Sequence, residues 1–153
     1  SDVGSSDLGA YEVCGVWCDG APGRMRKEPG QHGVWAALWF GGVAFKYQRP
    51  TSDLDAEAQV SIRAGVDVLT TSGPATGVAC DPEKVRRLRS LVGRDRAVGV
   101  ASGVTVENAR GLVEAGADAL LVATGISKNG DFHHMDPGRL AELLGEVKGA
   151  TRG

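Results

Sequence analysis

The sequence has little cysteine, few aromatic residues and no long apolar run. Its three cysteines, Cys14, Cys18 and Cys80, are odd in number and have neither a disulfide nor a zinc-site spacing. The longest apolar run, residues 34–45, is shorter than the ~20 residues of a membrane span, and no secretory signal opens the chain. We therefore expect a cytoplasmic protein with no membrane span and no bound metal or cofactor.

Charge of one sign is also lacking, since the formal net charge is −2. This balance gives no electrostatic basis for nucleic-acid binding. What the sequence does have is glycine: 23 of 153 residues, about 15% and roughly twice the usual ~7%. With 42% hydrophobic residues and no low-complexity tract, residues 1–153 are predicted to form a single α/β domain.

Short apolar segments alternate with amphipathic ones along the chain. The predicted strands cover residues 11–17, 39–46, 66–71, 97–101 and 117–123. Helix starts are predicted where an N-cap acceptor precedes helical periodicity, at Ser52, Asp81, Thr105 and Asp136. The glycine-rich and charged residues 19–32 are predicted to be a loop.

Five short apolar strands separated by helices indicate a parallel sheet. An internal sequence similarity supports a regular repeat, because AGVDVL (residues 64–69) is similar to AGADAL (residues 115–120). Two βα units in about 50 residues fit the spacing of a (β/α)₈ barrel. We predict a partial TIM barrel of about five strands, with an open doubly wound five-stranded sheet as the alternative.

The glycines fall into two groups in this scheme. One group follows predicted helices and suits helix ends: Gly65, Gly93 and Gly116. The other group follows predicted strands, where parallel α/β folds bind ligands: Gly73, Gly77, Gly103 and Gly125. The second group is the candidate functional one, with tight turns as the competing explanation.

Hydroxyl and lysine side chains accompany the second group. Ser102 and Thr124 precede Gly103 and Gly125 after two consecutive strands, a pattern typical of a shared phosphate site, with Lys128 nearby. Ser72 and Thr76 offer hydroxyls in the preceding loop. Lys46, at the end of another predicted strand, is a candidate phosphate partner, electrophile or Schiff-base amine, and a solvated lysine is the alternative.

Several of these stretches resemble the BtpA/SgcQ family. They are SGPATG (residues 72–77), ASGVTVENA (101–109), ADALLVATGISKNGDF (117–132) with MDPGRL after it, and the lysine that follows VAF at 43–46. The resemblance implies a TIM barrel whose site includes Lys46, Ser72, Thr76, Ser102, Gly103, Thr124 and Lys128. Some members are linked to photosystem I biogenesis, others lie in sugar-utilisation gene clusters, and a nucleosidase activity is suggested for some.

The chain also departs from that family. Gly42 stands where the family commonly has an aspartate, which removes a candidate acid, base or metal ligand. The last two loops read ASG and ATG where Gly-Ser-Gly and Gly-Thr-Ser are usual. A family barrel would also need three more βα units before residue 11, because five strands cannot close a barrel.

These observations lead to three hypotheses about function. The first is a site for a phosphorylated sugar or nucleotide, with Lys46 as the candidate catalytic residue. The second is a non-enzymatic assembly factor, and the third is a truncated, inactive half-barrel. The expected partners are the phosphorylated small molecule and either a second copy of the chain or the missing part of the barrel.

Overall fold

A computed structural model describes residues 15–18, 38–48 and 52–150. Five parallel strands form one sheet: β1 Gly15–Cys18, β2 Leu38–Gly42, β3 Val68–Thr71, β4 Ala97–Ala101 and β5 Ala119–Leu121. The strands lie side by side in sequence order. This order matches a segment of a (β/α)₈ barrel, whereas a doubly wound sheet reverses its strand order at a switch point.

Four helices follow the later strands of the sheet. They are α1 Leu54–Arg63, α2 Pro82–Val92, α3 Val106–Glu114 and α4 Pro137–Gly149. Each helix contacts the next one along the chain. The helices therefore form a continuous outer layer on the sheet, as in part of a TIM barrel. None of the helices in these ranges is long and apolar enough to cross a membrane.

Local sequence signals explain where the helices begin. Asp81 accepts a hydrogen bond from the Glu83 amide at 2.9 Å, and Pro82 occupies the first turn of α2. Asp136 caps α4 in the same way, with bonds from the amides of Gly138 and Arg139. Thr105 caps α3, as predicted, whereas α1 is capped by Asp53 and not by the predicted Ser52.

The strand predictions are confirmed for β3, β4 and β5, with β3 and β5 shorter than expected. The prediction of a strand through residue 46 is wrong, because β2 ends at Gly42 and a loop follows it. A small antiparallel hairpin, β6 Ser127–Lys128 and β7 Asp131–Met135, was not predicted. The predictions for residues 11–14 and 19–32 lie outside the described part of the chain.

The core lies between the sheet and its helices. Its fully buried side chains come from outward-facing strand positions and from the inner faces of the helices, among them Leu69, Val98, Val100, Val85, Leu88 and Leu112. Trp39 is partly buried and packs against this core. This packing fixes the strands, so the loops at their carboxyl ends start from a rigid base.

Candidate functional site

The loop after β2 carries Lys46 to the carboxyl end of the sheet. Residues 43–48 form tight turns, in which Ala44 and Tyr47 adopt left-handed backbone conformations with φ values of 45° and 65°. The amide of Lys46 donates a hydrogen bond of 2.8 Å to Oγ of Ser72, which follows β3. Ser72 is buried, and its hydroxyl joins the loops after β2 and β3.

The Lys46 ammonium connects three consecutive loops. Its Nζ atom donates to Oγ1 of Thr76 at 3.2 Å, in the loop after β3, and to Oγ of Ser102 at 3.4 Å, in the loop after β4. Ser102 Oγ also accepts a bond of 3.4 Å from the amide of Gly77. Five of the predicted site residues, Lys46, Ser72, Thr76, Gly77 and Ser102, are thus joined in one hydrogen-bonded group, which we call the lysine cluster.

No carboxylate of the described residues neutralises the positive charge of the lysine cluster. Within residues 15–18, 38–48 and 52–150, Lys46 makes no ion pair with a carboxylate; its partners are the two hydroxyls and the rings of Phe45 and Tyr47, at 5.8 and 6.0 Å from Nζ. Hydroxyls and aromatic rings orient an ammonium without cancelling its charge. The cluster can therefore attract an anion.

Sequence reasoning did not identify Tyr47 as part of this site. Its hydroxyl lies 3.1 Å from Oγ1 of Thr76 and accepts a bond from the Thr76 amide. These bonds, with a smaller effect of the Lys46 charge, lower the pKa of the Tyr47 phenol. The only signal in the sequence was that Tyr47 is next to Lys46, and an exposed tyrosine in a loop has no periodic pattern.

The glycines after the strands have a packing role. A Cβ atom on Gly73 or Gly103 would lie 2.2 or 2.1 Å from the carbonyl oxygen of Val78, and one on Gly125 would lie 2.1 Å from that of Val104. Each of these loops thus rests on backbone of its own or a neighbouring loop. Close backbone approach explains these three glycines without a ligand, whereas Gly77 has open space around it.

A cavity lies after β5, apart from the lysine cluster. It has a volume of about 550 Å³ and is lined by Thr124, Ser127, Lys128, Asn129, Gly130, Asp136 and Arg139. Arg139 is already engaged, with Nε donating 3.0 Å to the Gly125 carbonyl oxygen. Ser102 does not line this cavity. The loop after β5 does approach the loop after β4, because Gly125, next to Thr124, lies against the backbone of Val104.

A third feature is a cleft beside the Lys46 loop, of about 490 Å³, which reaches Lys84 on α2. Lys84 was not predicted as a site residue; it is part-buried, and this burial lowers the pKa of its ammonium. Cys80 is buried nearby, and burial raises the pKa of its thiol to about 11. Cys80 is thus a protonated, structural cysteine at neutral pH.

Other ionisable side chains, the histidines of β7 and the arginines of α2, lie outside the lysine cluster. His133 and His134 are exposed, and His134 Nδ1 lies 2.7 Å from Asp131. No group of histidine, cysteine and acidic residues suited to a metal ion occurs in the described ranges. Arg86 and Arg87 pair with Glu83 and Asp55 on the surface. Arg89 instead donates to the backbone carbonyl groups of Gly116 and Arg96, at the other end of the sheet.

Comparisons with known proteins give the fold. No protein-family model matches the chain, and no curated protein matches its sequence. Several solved structures are similar in fold. A structure of native KDPGal has a TM-score of 0.54 and 19% identity, over 73% of this chain and 48% of that one. Thiamine phosphate pyrophosphorylase from Pyrococcus furiosus has a TM-score of 0.53 and 17% identity, over 74% of this chain and 50% of that one. Phosphoribosyl anthranilate isomerase from Thermus thermophilus has a TM-score of 0.54 and 18% identity, over 73% of this chain and 50% of that one.

These structures are TIM-barrel-like, and at this identity the likeness concerns the fold alone. The chain spans about half the length of each of them. Its five parallel strands in sequence order correspond to part of a barrel. The carboxyl ends of those strands, where the lysine cluster lies, are the face on which barrels of this kind carry their sites.

Proposed function

We propose that this protein binds a phosphorylated sugar or nucleotide at the carboxyl ends of its parallel strands. One observation carries the proposal: the Lys46 ammonium is oriented by hydroxyls from two other loops and has no carboxylate partner among the described residues. A phosphoryl group that displaced or joined these weak contacts would gain a charge-assisted hydrogen bond. Thr76 and Ser102 would then donate their hydroxyl protons to the same ligand.

Two of the similar structures are named for phosphorylated compounds, thiamine phosphate and a phosphoribosyl compound. This supports a phosphorylated ligand here without identifying it. The finer proposal, a BtpA/SgcQ-like protein with nucleosidase-like activity, rests on the motifs at residues 72–77, 101–109 and 117–132. They include the residues that follow β3, β4 and β5, and barrels bind their ligands at the carboxyl ends of the strands. Lys46 is the catalytic candidate within this proposal.

The cavity beside Thr124 and Lys128 is the second region of the proposal. Lys128 is exposed and has no side-chain partner among the described residues, so its charge is also available to an anion. A nucleotide has both a phosphate and a base, and the proposal assigns the lysine cluster and this cavity to the two parts of such a ligand. Variants in each region separate their contributions.

The test is calorimetric titration with ribose 5-phosphate and AMP, with ribose and adenosine as ligands that lack the phosphate. We expect the phosphorylated ligands to bind and the others not to. Lys46→Met should weaken binding by about 10–100-fold, the value of a charge-assisted hydrogen bond. Lys148→Met, an exposed lysine in the last turn of α4, is the matched control and should bind normally.

Negative charge placed in each region gives the second arm. Ser102 has a φ of 73°, a conformation that aspartate tolerates, so Ser102→Asp adds charge at little backbone cost. Thr124→Asp does the same beside Lys128. Unchanged affinity in both variants and in Lys46→Met would contradict the proposal. A protein partner retained by all three variants would instead support the assembly-factor function.

A further inference from the structure

The loop that carries Lys46 is held from outside the lysine cluster by two charged side chains. Glu57 lies in the first turn of α1, and its carboxylate accepts a hydrogen bond of 2.9 Å from the Ala44 amide. Lys84 lies in the first turn of α2, and its Nζ donates 2.6 Å to the Ala44 carbonyl oxygen. Both polar groups of one loop residue are thus bound by side chains of two successive helices.

Ala44 needs such support because of its conformation. Its φ of 45° lies in the left-handed region. An L-residue populates this region about tenfold or more less than the right-handed one. The residue sits two positions before Lys46, so a change of its backbone conformation would swing the lysine away from Thr76 and Ser102. The two bonds hold the disfavoured conformation in place.

Lys84 also joins the Lys46 loop to the next one. The same Nζ donates 3.0 Å to the carbonyl oxygen of Ser72, whose Oγ accepts the Lys46 amide. Burial disfavours the charged form of Lys84, whereas the charge of Glu57 favours it. Two of the three ammonium protons of this part-buried lysine are thus donated to loop carbonyls, so Lys84 organises the loops of the site.

We propose that Glu57 and Lys84 are positioning residues, which hold the Ala44 peptide in its left-handed conformation and so place the Lys46 ammonium against Thr76 and Ser102. The inference rests on the proposed function for its consequence in ligand binding. Its structural content, the link from the two helices to Lys46, is independent of any ligand.

The first test reads the loop itself. In Lys84→Met and Glu57→Ala, the Ala44 Cα and Cβ chemical shifts should move toward values of a negative φ, and the Lys46 Nζ signal should lose its shift difference from exposed Lys148. Glu57→Gln keeps an acceptor oxygen and should leave both signals near those of the parent protein. Unchanged Ala44 and Lys46 signals in Lys84→Met and Glu57→Ala would overturn the proposal.

The second test uses a rescue that a general loss of stability cannot give. Glycine adopts positive φ freely, so Ala44→Gly should restore the Lys46 signal in a Lys84→Met background, at least in part. For ribose 5-phosphate, we expect about tenfold weaker binding in Lys84→Met and recovery in the double variant. A double variant no better than Lys84→Met in either signal or affinity would count against positioning through Ala44.

The two proposals fail in different ways. If ribose 5-phosphate and AMP do not bind the parent protein, the proposed function is wrong, while the chemical shifts still decide the role of Glu57 and Lys84. If they bind and Lys84→Met binds as well with unmoved shifts, the positioning role is wrong and the ligand site stands.

Discussion

Two adjacent threonines at the end of β3 have opposite hydrogen-bonding states. Both side chains are fully buried. Thr70 Oγ1 donates 3.3 Å to the Val68 carbonyl oxygen, whereas Thr71 Oγ1 has no partner within the part of the chain that the structure describes. A buried hydroxyl without a partner has lost its water and gained nothing in return.

Valine in place of each threonine should therefore have opposite effects. Thr71→Val keeps the shape and removes the unpaired hydroxyl, so we expect the free energy of unfolding to stay the same or to rise by about 1 kcal/mol. Thr70→Val is the matched control and should lose about 1 kcal/mol with its bond. Urea unfolding of both variants measures the difference. A larger loss in Thr71→Val than in Thr70→Val would show that Thr71 has a partner.

Single residues also show what the sequence can predict about a site. Hydroxyls and a lysine that follow consecutive strands are expected to meet, and the structure places Lys46 within hydrogen-bond distance of Thr76 and Ser102. The sequence does not single out Lys84 and Glu57, because on the helices they match an ordinary polar face. Their contacts depend on how the helices pack on the sheet, and no local pattern encodes that packing.

At the scale of elements, the two halves of the sequence repeat form the same junction. Gly65 and Gly116 follow α1 and α3 with left-handed φ values of 86° and 107°. The aspartate two residues later reaches back to the preceding strand: Asp67 accepts the Trp39 amide at 2.8 Å, and Asp118 accepts the Val98 amide at 2.9 Å. The repeat in the sequence is thus a repeat in structure, and it sets the start of β3 and β5.

The junction aspartates should therefore contribute to stability. Asp118→Ala leaves the part-buried Val98 amide without its acceptor and should cost about 1–3 kcal/mol, and Asp67→Ala should cost a similar amount. Asp118→Asn keeps an acceptor and should cost less. Asp95→Ala, at an exposed aspartate before β4, is the control, with a change within about 0.5 kcal/mol. Thermal or urea unfolding checks all four, and equal losses for Asp95→Ala and Asp118→Ala would contradict the role of the junction.

Elements with strong local signals were predictable, and elements without them were not. The Asp-Pro starts of α2 and α4 and the helix-ending Gly93 are such signals. The hairpin of β6 and β7 was missed because residues 127–135 lack alternating apolar residues and carry two histidines. Its backbone turns at Asn129 and Gly130, both with positive φ, were visible only as an Asn-Gly pair.

On the scale of the whole molecule, the described sheet is a barrel segment with an edge strand on each side, β1 and β5. In the described ranges, β3 and β4 each have a hydrogen-bonded strand on both sides, whereas β1 and β5 have one neighbour each. The residues of β5 are half-buried, and those of β3 are fully buried. In a closed TIM barrel every strand has two neighbours, so no strand has a free edge.

Hydrogen exchange of the backbone amides tests whether β5 is a free edge in solution. If the edge is free, local opening needs only the β4 contacts to break, so amides of β5 should exchange about tenfold or more faster than those of β3 and β4. The β3 amides serve as the internal control, because their protection reports opening of the sheet as a whole. Equal protection of β5 and β3 would contradict a free edge and mean that something covers it. Exchange measured over a dilution series then separates the causes, because a second copy dissociates on dilution while strands of the same chain do not.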